Sequence, residues 1–319
     1  MLITQEHFKK IYTENTITST CLVIILNNDC NANCRACIAQ QVFKSALCKE
    51  LCEAYTTCKY LRCCDHIAPD EEFYARLEEV LSTVNSQHVD IIITGGEPTI
   101  SNRFIPTLEL IDKYNYPSKV LQLETNGARL KDEVISAAIK RYNIKIHLSR
   151  YGITDESNLE EFRFKELPTT NEDIKELSAI YGDLLGISTV ILKKHIVNGQ
   201  DLLDMVQHSA SLGVQHHDFL EVMADSTLEA SDPKMLAYYK EQLVTADELH
   251  EDLMSLGVKE IFRACSESYG LSKYEYNGNI FSITYSKLDR QHKQETNNHF
   301  SRFLIMPSGE IGVNGVEKR

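Results

Sequence analysis

The chain has 319 residues, 43 % of them hydrophobic and 25 % charged, enough for a large core in an ordinary globular protein. A net charge of −13 argues against sequence-independent binding to nucleic acid or to an anionic membrane. No apolar run is long enough to span a bilayer and the first twenty residues carry no secretory signal, so a cytoplasmic protein is expected. In that compartment ten cysteines point to metal binding, redox work or burial rather than to disulfides.

Taken in order, the first regular element after the polar N-terminus is an apolar run, Leu22-Val23-Ile24-Ile25-Leu26, which reads as a buried strand. Directly behind it come Cys30, Cys34 and Cys37, spaced on one short loop. Three thiolates can hold three corners of an iron–sulfur cube and leave the fourth iron open. A partial zinc site or buried cysteines are the alternatives, and neither the loop nor its flanks offers a histidine to complete a zinc site.

Residues 38–68 fit no regular element and hold five more cysteines: Cys48, Cys52, Cys58, Cys63 and Cys64. A helix then starts at Pro69-Asp70-Glu71-Glu72, with Phe73, Leu77, Val80, Leu81 and Val84 on one face. Further strands are expected at 89–94, 119–124, 144–149, 187–192 and 217–222, and helices at 102–114, 131–142, 171–181 and 200–212. Six strands separated by helices imply parallel pairing with right-handed crossovers, hence an open or partial α/β barrel. In such folds ligands collect at the carboxyl ends of the strands.

Beyond residue 224 the pattern changes. Two helices are expected, 233–242 and 246–256, the second with a capping box of Thr245 and Glu248. A hairpin turns at Asn277-Gly278, and a second joins Phe303-Leu304-Ile305 to Gly309-Glu310-Ile311. The organisation is therefore read as an N-terminal extension (1–20), a barrel (21–223) with a cysteine-rich insertion (38–68), and a small α+β appendage (224–319) capping one end.

The second strand ends in Thr94-Gly95-Gly96-Glu97-Pro98, where two glycines let a backbone edge lie flat against a ligand. Alone this is a turn. Together with the cysteine loop, on adjacent strands and in this order, it resembles the radical S-adenosylmethionine (radical SAM) family over residues 20–223. The resemblance implies a partial (β/α)6 barrel in which Cys30, Cys34 and Cys37 bind a 4Fe-4S cluster. The open iron would take S-adenosylmethionine (SAM) by its amino and carboxylate groups.

The same resemblance places Gly95, Gly96 and Glu97 at the methionine moiety, and Thr125 and Asn126, from Glu124-Thr125-Asn126-Gly127, in the pocket wall. Ser149 would meet the ribose and Arg150 the carboxylate, while Leu192 packs near adenine and Asn198 sits at the same end. A reductant such as flavodoxin or ferredoxin is the implied partner. One residue departs from the pattern: the aromatic expected before the third cysteine is Ala36 here, and Phe43 or Tyr151 would have to replace it.

Cys48 to Cys64 are dense enough for a second iron–sulfur cluster or a zinc, with buried packing as the alternative. The appendage resembles the cluster-binding extensions of radical SAM enzymes, and the tail of the molybdenum-cofactor cyclase, without their cysteines. It holds only Cys265, a hydrogen-atom donor or a buried small hydrophobe. His216 and His217 open the sixth strand away from the active end, and Glu221 near its other end meets substrate or caps a neighbour.

The expected activity is cleavage of SAM to a 5′-deoxyadenosyl radical acting on a small polar metabolite such as a nucleoside, sugar or aminoglycoside-like intermediate. A redox-neutral outcome is favoured: epimerisation, isomerisation, decarboxylation or cyclisation. The alternatives are a peptide-modifying enzyme or dehydrogenase with an auxiliary cluster, and a non-catalytic iron–sulfur or zinc protein.

Overall fold

The structure is a computed structural model that describes residues 2–14, 17–37, 68–164, 166–222, 233–265, 269–286 and 300–314. Cys48, Cys52, Cys58, Cys63, Cys64 and Phe43 lie outside the described residues. The chain divides into two compact units. One is Met1–Asn31 with Ala39–Lys145 and Asn297–Arg319, the other Ala32–Ile38 with Ile146–Thr296.

In chain order the elements begin with β1 (Leu2–Ile3), α1 (Gln5–Glu14), β2 (Ser19–Ile25), α2 (Asp70–Thr83) and β3 (His88–Thr94). They continue with α3 (Phe104–Asp112), β4 (Ser118–Thr125), α4 (Glu133–Arg141), β5 (Lys145–Arg150), α5 (Asp155–Phe162) and α6 (Asn171–Tyr181). Next come β6 (Leu185–Ile191), α7 (Gly199–Ser211), β7 (His216–Glu221), α8 (Pro233–Gln242) and α9 (Ala246–Ser255). Five strands close the series: β8 (Lys259–Cys265), β9 (Tyr269–Tyr276), β10 (Asn279–Ser286), β11 (Phe300–Ile305) and β12 (Ile311–Asn314).

In the first unit the strand order is β1-β12-β11-β2-β3-β4. β11, β2, β3 and β4 run parallel, and β12 and β1 add antiparallel partners at the edge. β2 is apolar from Cys21 to Ile25 because both of its faces are covered. β3 alternates instead, with Val89, Ile91 and Ile93 fully buried. α2 lays down the expected face of Phe73, Leu77, Val80 and Leu81.

Within the N-terminal extension, for which the sequence suggested no core element, Leu2–Ile3 form β1 and Gln5–Glu14 form α1. Phe8 and Tyr12, one turn apart, pack on Phe303 with ring centroids 4.9 and 5.8 Å away. A face made of so few apolar residues is weak in the sequence, and only its partner on β11 reveals it. Arg103 ties this unit together from the inside. Its buried guanidinium pairs with Asp70 at 2.7 Å, donates to the carbonyls of Pro307 (2.9 Å) and Ala68, and covers the Phe73 ring at 4.3 Å.

In the second unit the order is β5-β6-β7-β10-β9-β8, with β5, β6, β7 and β10 parallel and β9 and β8 antiparallel at the edge. The β9–β10 turn has positive φ at both Asn277 (51°) and Gly278 (79°), the paired left-handed geometry that tight hairpins favour. The helices and hairpins expected for 224–319 are present, and their strands extend the sheets: β10 pairs with β7 and β11 with β2. Phe219, Phe281, Ile283, Leu249 and Leu253 share one core cluster, so the sheet and α9 are packed into a common interior. α5 had no expected counterpart, because polar Asn158 and Glu161 occupy its buried positions and hide its apolar face.

His217, on β7, is fully enclosed. Its Nε2 meets Thr189 Oγ1 at 2.8 Å, its Nδ1 meets Ser209 Oγ at 3.0 Å, and its ring stacks on Phe219. Burial, with the neighbouring His208 adding to it, lowers its pKa to about 3. The unfolded chain takes up a proton near pH 6.5 that the folded chain refuses, so stability is lost as pH falls from 6.5 towards 3. The slope is at most about 1.4 kcal/mol per pH unit. In urea unfolding, the stability difference between wild type and His217→Gln is expected to shrink across that window; a constant difference would contradict the assignment.

Candidate functional site

In the first unit the chain leaves β2 at Leu26, whose N–H donates to Thr94 O at 2.9 Å and carries the β2–β3 ladder one residue further. The next residues lie against the glycine pair. Gly96 N–H donates to Asn27 O at 2.9 Å and Glu97 N–H to Asp29 O at 2.7 Å. A Cβ at Gly96 would stand 1.9 Å from Asp29 O, and one at Gly95 2.8 Å from Asn27 O. The flat backbone edge foreseen from the glycines is therefore covered by the chain's own approach to Cys30.

Glu97 fastens the same corner from beneath. It is 1 % exposed. Its Oε1 accepts from Thr99 N (3.0 Å), Thr99 Oγ1 (2.5 Å) and Thr125 Oγ1 (2.7 Å), and its Oε2 from Asn126 N (2.7 Å). Burial raises its pKa, and the hydrogen bonds from Thr99, Asn126 and Thr125 lower it without cancelling that effect. Asn126 is oriented in turn. Its Oδ1 accepts from Ala128 N at 3.1 Å, which turns Nδ2 towards Asn31 Oδ1 at 2.7 Å and Cys30 Sγ at 3.7 Å.

In the second unit the cysteine loop rests on the end of α5. Asn33 N–H donates to Phe162 O at 3.0 Å and Arg35 N–H to Glu161 O at 3.3 Å, satisfying carbonyls that the helix itself leaves open. Tyr151, just past β5, is 5 % exposed and packs edge-on to Phe162 at 5.1 Å. Its hydroxyl hydrogen-bonds Cys34. Burial, then the charges of Cys34 and Cys37, raise its pKa well above the ordinary value. Of the two aromatics considered as replacements at Ala36, Tyr151 is the one the described residues contain, and its hydroxyl meets Cys34.

Beside this sits a group that the sequence did not single out. Glu161 is fully buried, ion-paired to Lys194 and within 3.3 Å of the Tyr238 hydroxyl and 3.7 Å of His195 Nε2. Burial works to raise its pKa, and the His195 and Lys194 contacts outweigh that and lower it. Lys193-Lys194-His195 follows β6 after Leu192, so the strand-end rule held the signal. Glu161 gave none, being on the unforeseen α5.

The remaining candidates have local roles in view. Arg150 is 4 % exposed and bonds Thr169 O (2.7 Å), Asn171 Oδ1 (2.8 Å) and Asp155 (3.0 Å), whereas its half-buried neighbour Ser149 points to the other face of β5. Leu192 is fully buried, and Asn198 caps α7 by accepting from Gln200 N and Asp201 N. Glu221 accepts from Ala246 N at 2.6 Å, so it caps α9. Cys265 ends β8, and its side chain lies outside the described residues.

Cys30, Cys34 and Cys37 are all partly exposed thiols. Among the described residues, no group of three or more His, Cys, Asp or Glu side chains is arranged as a ready metal site. The donor set nevertheless fits a cluster: three soft ligands on one loop, with polar hydrogens at Cys30 and Cys34 and glycine backbone seating the approach.

No protein-family model matches the chain, and no curated protein does. Among solved structures it is similar to Streptococcus suis SuiB bound to S-adenosylmethionine, with a TM-score of 0.57 and 15 % identity over 96 % of this chain and 63 % of that one. The same protein bound to its precursor peptide SuiA gives 0.56 and 14 % over 96 % and 62 %. The tagged anSMEcpe with bound AdoMet gives only 0.47, at 19 % identity over 64 % and 52 %. The chain thus spans 52–63 % of the lengths of these proteins. The SuiB likeness shows the fold: the α/β type with parallel strands expected from the alternation of strands and helices.

The Gly96 contact gives a direct test. Gly96→Ala forces a methyl group into the Asp29 carbonyl, a backbone atom that cannot swing aside. A loss of about 3 kcal/mol in unfolding free energy is expected by denaturant titration; wild-type stability would show that the segment before Cys30 is not seated on the glycines.

Proposed function

We propose that this protein is a radical SAM enzyme. The observation that carries the reading is the contact between the segment leading into Cys30 and Gly95-Gly96-Glu97, the two motifs whose pairing the sequence singled out. The likeness of fold to a protein solved with SAM bound adds support.

Cys30, Cys34 and Cys37 would hold a 4Fe-4S cluster and leave one iron for SAM. When bound, that pair of cofactors supplies a 5′-deoxyadenosyl radical able to take a hydrogen atom from an unactivated carbon. The protein's own part is placement. Gly95 and Gly96 set the path of the chain into Cys30, and Glu97 locks Thr99, Thr125 and Asn126 around a carboxylate no longer open to water. Asn33 and Arg35 dock the rest of the loop on α5, so its thiols are presented from a rigid support. Ser149 would line the SAM pocket and the enclosed Leu192 would back the wall on the adenine side, while Arg150 and Asn198 act there through the segments they brace.

The substrate we favour is a small polar metabolite, converted without net oxidation and with an external one-electron donor such as flavodoxin or ferredoxin. The fold-wide negative charge supports this over a nucleic acid. A peptide substrate is the second reading, favoured by the likeness to SuiB in its peptide-bound form. A second iron–sulfur cluster on Cys48 to Cys64 would belong with that reading, since oxidative and crosslinking chemistry calls for a further electron acceptor; a zinc there, being redox-inert, would be structural.

Anaerobically reconstituted and reduced protein is expected to form 5′-deoxyadenosine from SAM, and Cys34→Ala to bring it to background. Absence of the product from a chain carrying a cluster would mean a non-catalytic iron–sulfur protein. Iron analysis separates the two enzyme classes: about four irons per chain for one cluster, about eight for two.

A further inference from the structure

Two buried or half-buried polar hydrogens are aimed at cysteine sulfurs by contacts that leave them little freedom. Tyr151 is fixed by Asn158, whose Oδ1 accepts its N–H at 2.7 Å, and by the Phe162 ring, and its hydroxyl reaches Cys34. Asn126 is fixed by its own backbone bond to Glu97 and by Ala128, and its Nδ2 reaches Cys30 Sγ. The Tyr151 ring would keep its packing without the hydroxyl, whereas the Asn126 amide also bonds Asn31 Oδ1 and Ala128 N, so Tyr151 is the cleaner probe of the two. Both donor side chains are themselves buried, which limits competition from water on their side of the X–H···S bond.

We propose that Tyr151 and Asn126 are positioning residues that tune the electron affinity of the cysteine-bound cluster by hydrogen-bonding two of its three ligand sulfurs. The proposal rests on the reading of Cys30, Cys34 and Cys37 as cluster ligands. Reduction adds one negative charge, partly carried by the ligand sulfurs, and a donor aimed at sulfur stabilises the reduced form more than the oxidised one. With both donors in place the cluster accepts its electron more readily. Tyr151 thereby fills in part the place left by Ala36, not by stacking from the loop itself but from β5 beneath it.

The test is a potentiometric titration of anaerobically reconstituted full-length protein, followed by electron paramagnetic resonance of the reduced cluster. Tyr151→Phe keeps the ring against Phe162 and removes only the hydroxyl. It is expected to hold wild-type iron and to be about tenfold harder to reduce, a shift of ~59 mV to lower potential for a one-electron couple. Asn126→Ala is expected to shift in the same direction. An unchanged midpoint in Tyr151→Phe at full iron content overturns the proposal.

Pulsed resonance on the wild type in deuterated buffer is independent of any variant. An exchangeable proton coupled to the reduced cluster, absent in Tyr151→Phe, supports the assignment, and none in the wild type overturns it. A chain that binds no iron at all would instead sink the reading of the three cysteines, which keeps the two failures apart.

Discussion

The contact on which the site depends is between two stretches of backbone. Where β3 ends, Gly96 comes so near Asp29 that no side chain fits between them, and two N–H···O bonds bind the strands' continuations together. The glycines act here by leaving room for main chain, which then carries Cys30 to a defined position. Glu97 secures the corner from below. A carboxylate with no access to water is costly, and four donors from three neighbouring residues offset part of that cost. Such a group cannot move without stranding all of them, so the ends of β3 and β4 keep one relation.

The second unit solves the same problem differently. Its part of the cysteine loop has no glycine seat and hangs instead from the open carbonyls at the end of α5. That helix ends at Arg163 in the left-handed region (φ 53°). Its last turn is held from inside by Glu161 and Lys194, a pair whose separation would leave a buried charge without compensation. Tyr151 lies between this support and Cys34, so the packing of the helix and the surroundings of the sulfur are parts of one arrangement.

Much of this was legible in the residues. The apolar runs at 89–94 and 187–192, the amphipathic face of Phe73, Leu77, Val80 and Leu81, and the Asn277-Gly278 turn specify their elements through periodicity and φ preference alone. α1 and α5 were not legible. Their faces rest on few apolar residues, and Asn158 and Glu161 are buried only because particular partners meet them. Likewise Arg150 and Asn198 looked like ligand contacts by position, and the donors and acceptors they satisfy lie within their own unit.

The sequence by itself determined the alternation of strands and helices, the strand ends where chemistry collects, and the pairing of three cysteines with a glycine pair and an acid. These are local properties of residue type and spacing, and they survive without knowledge of any neighbour. Only the tertiary structure decided what the glycines lie against, that Glu97 is locked into a net of donors, and that Tyr151 and Asn126 turn their hydrogens to sulfur. Those facts depend on which distant segment arrives at each position, and packing and hydrogen-bond geometry, not spacing, settle that.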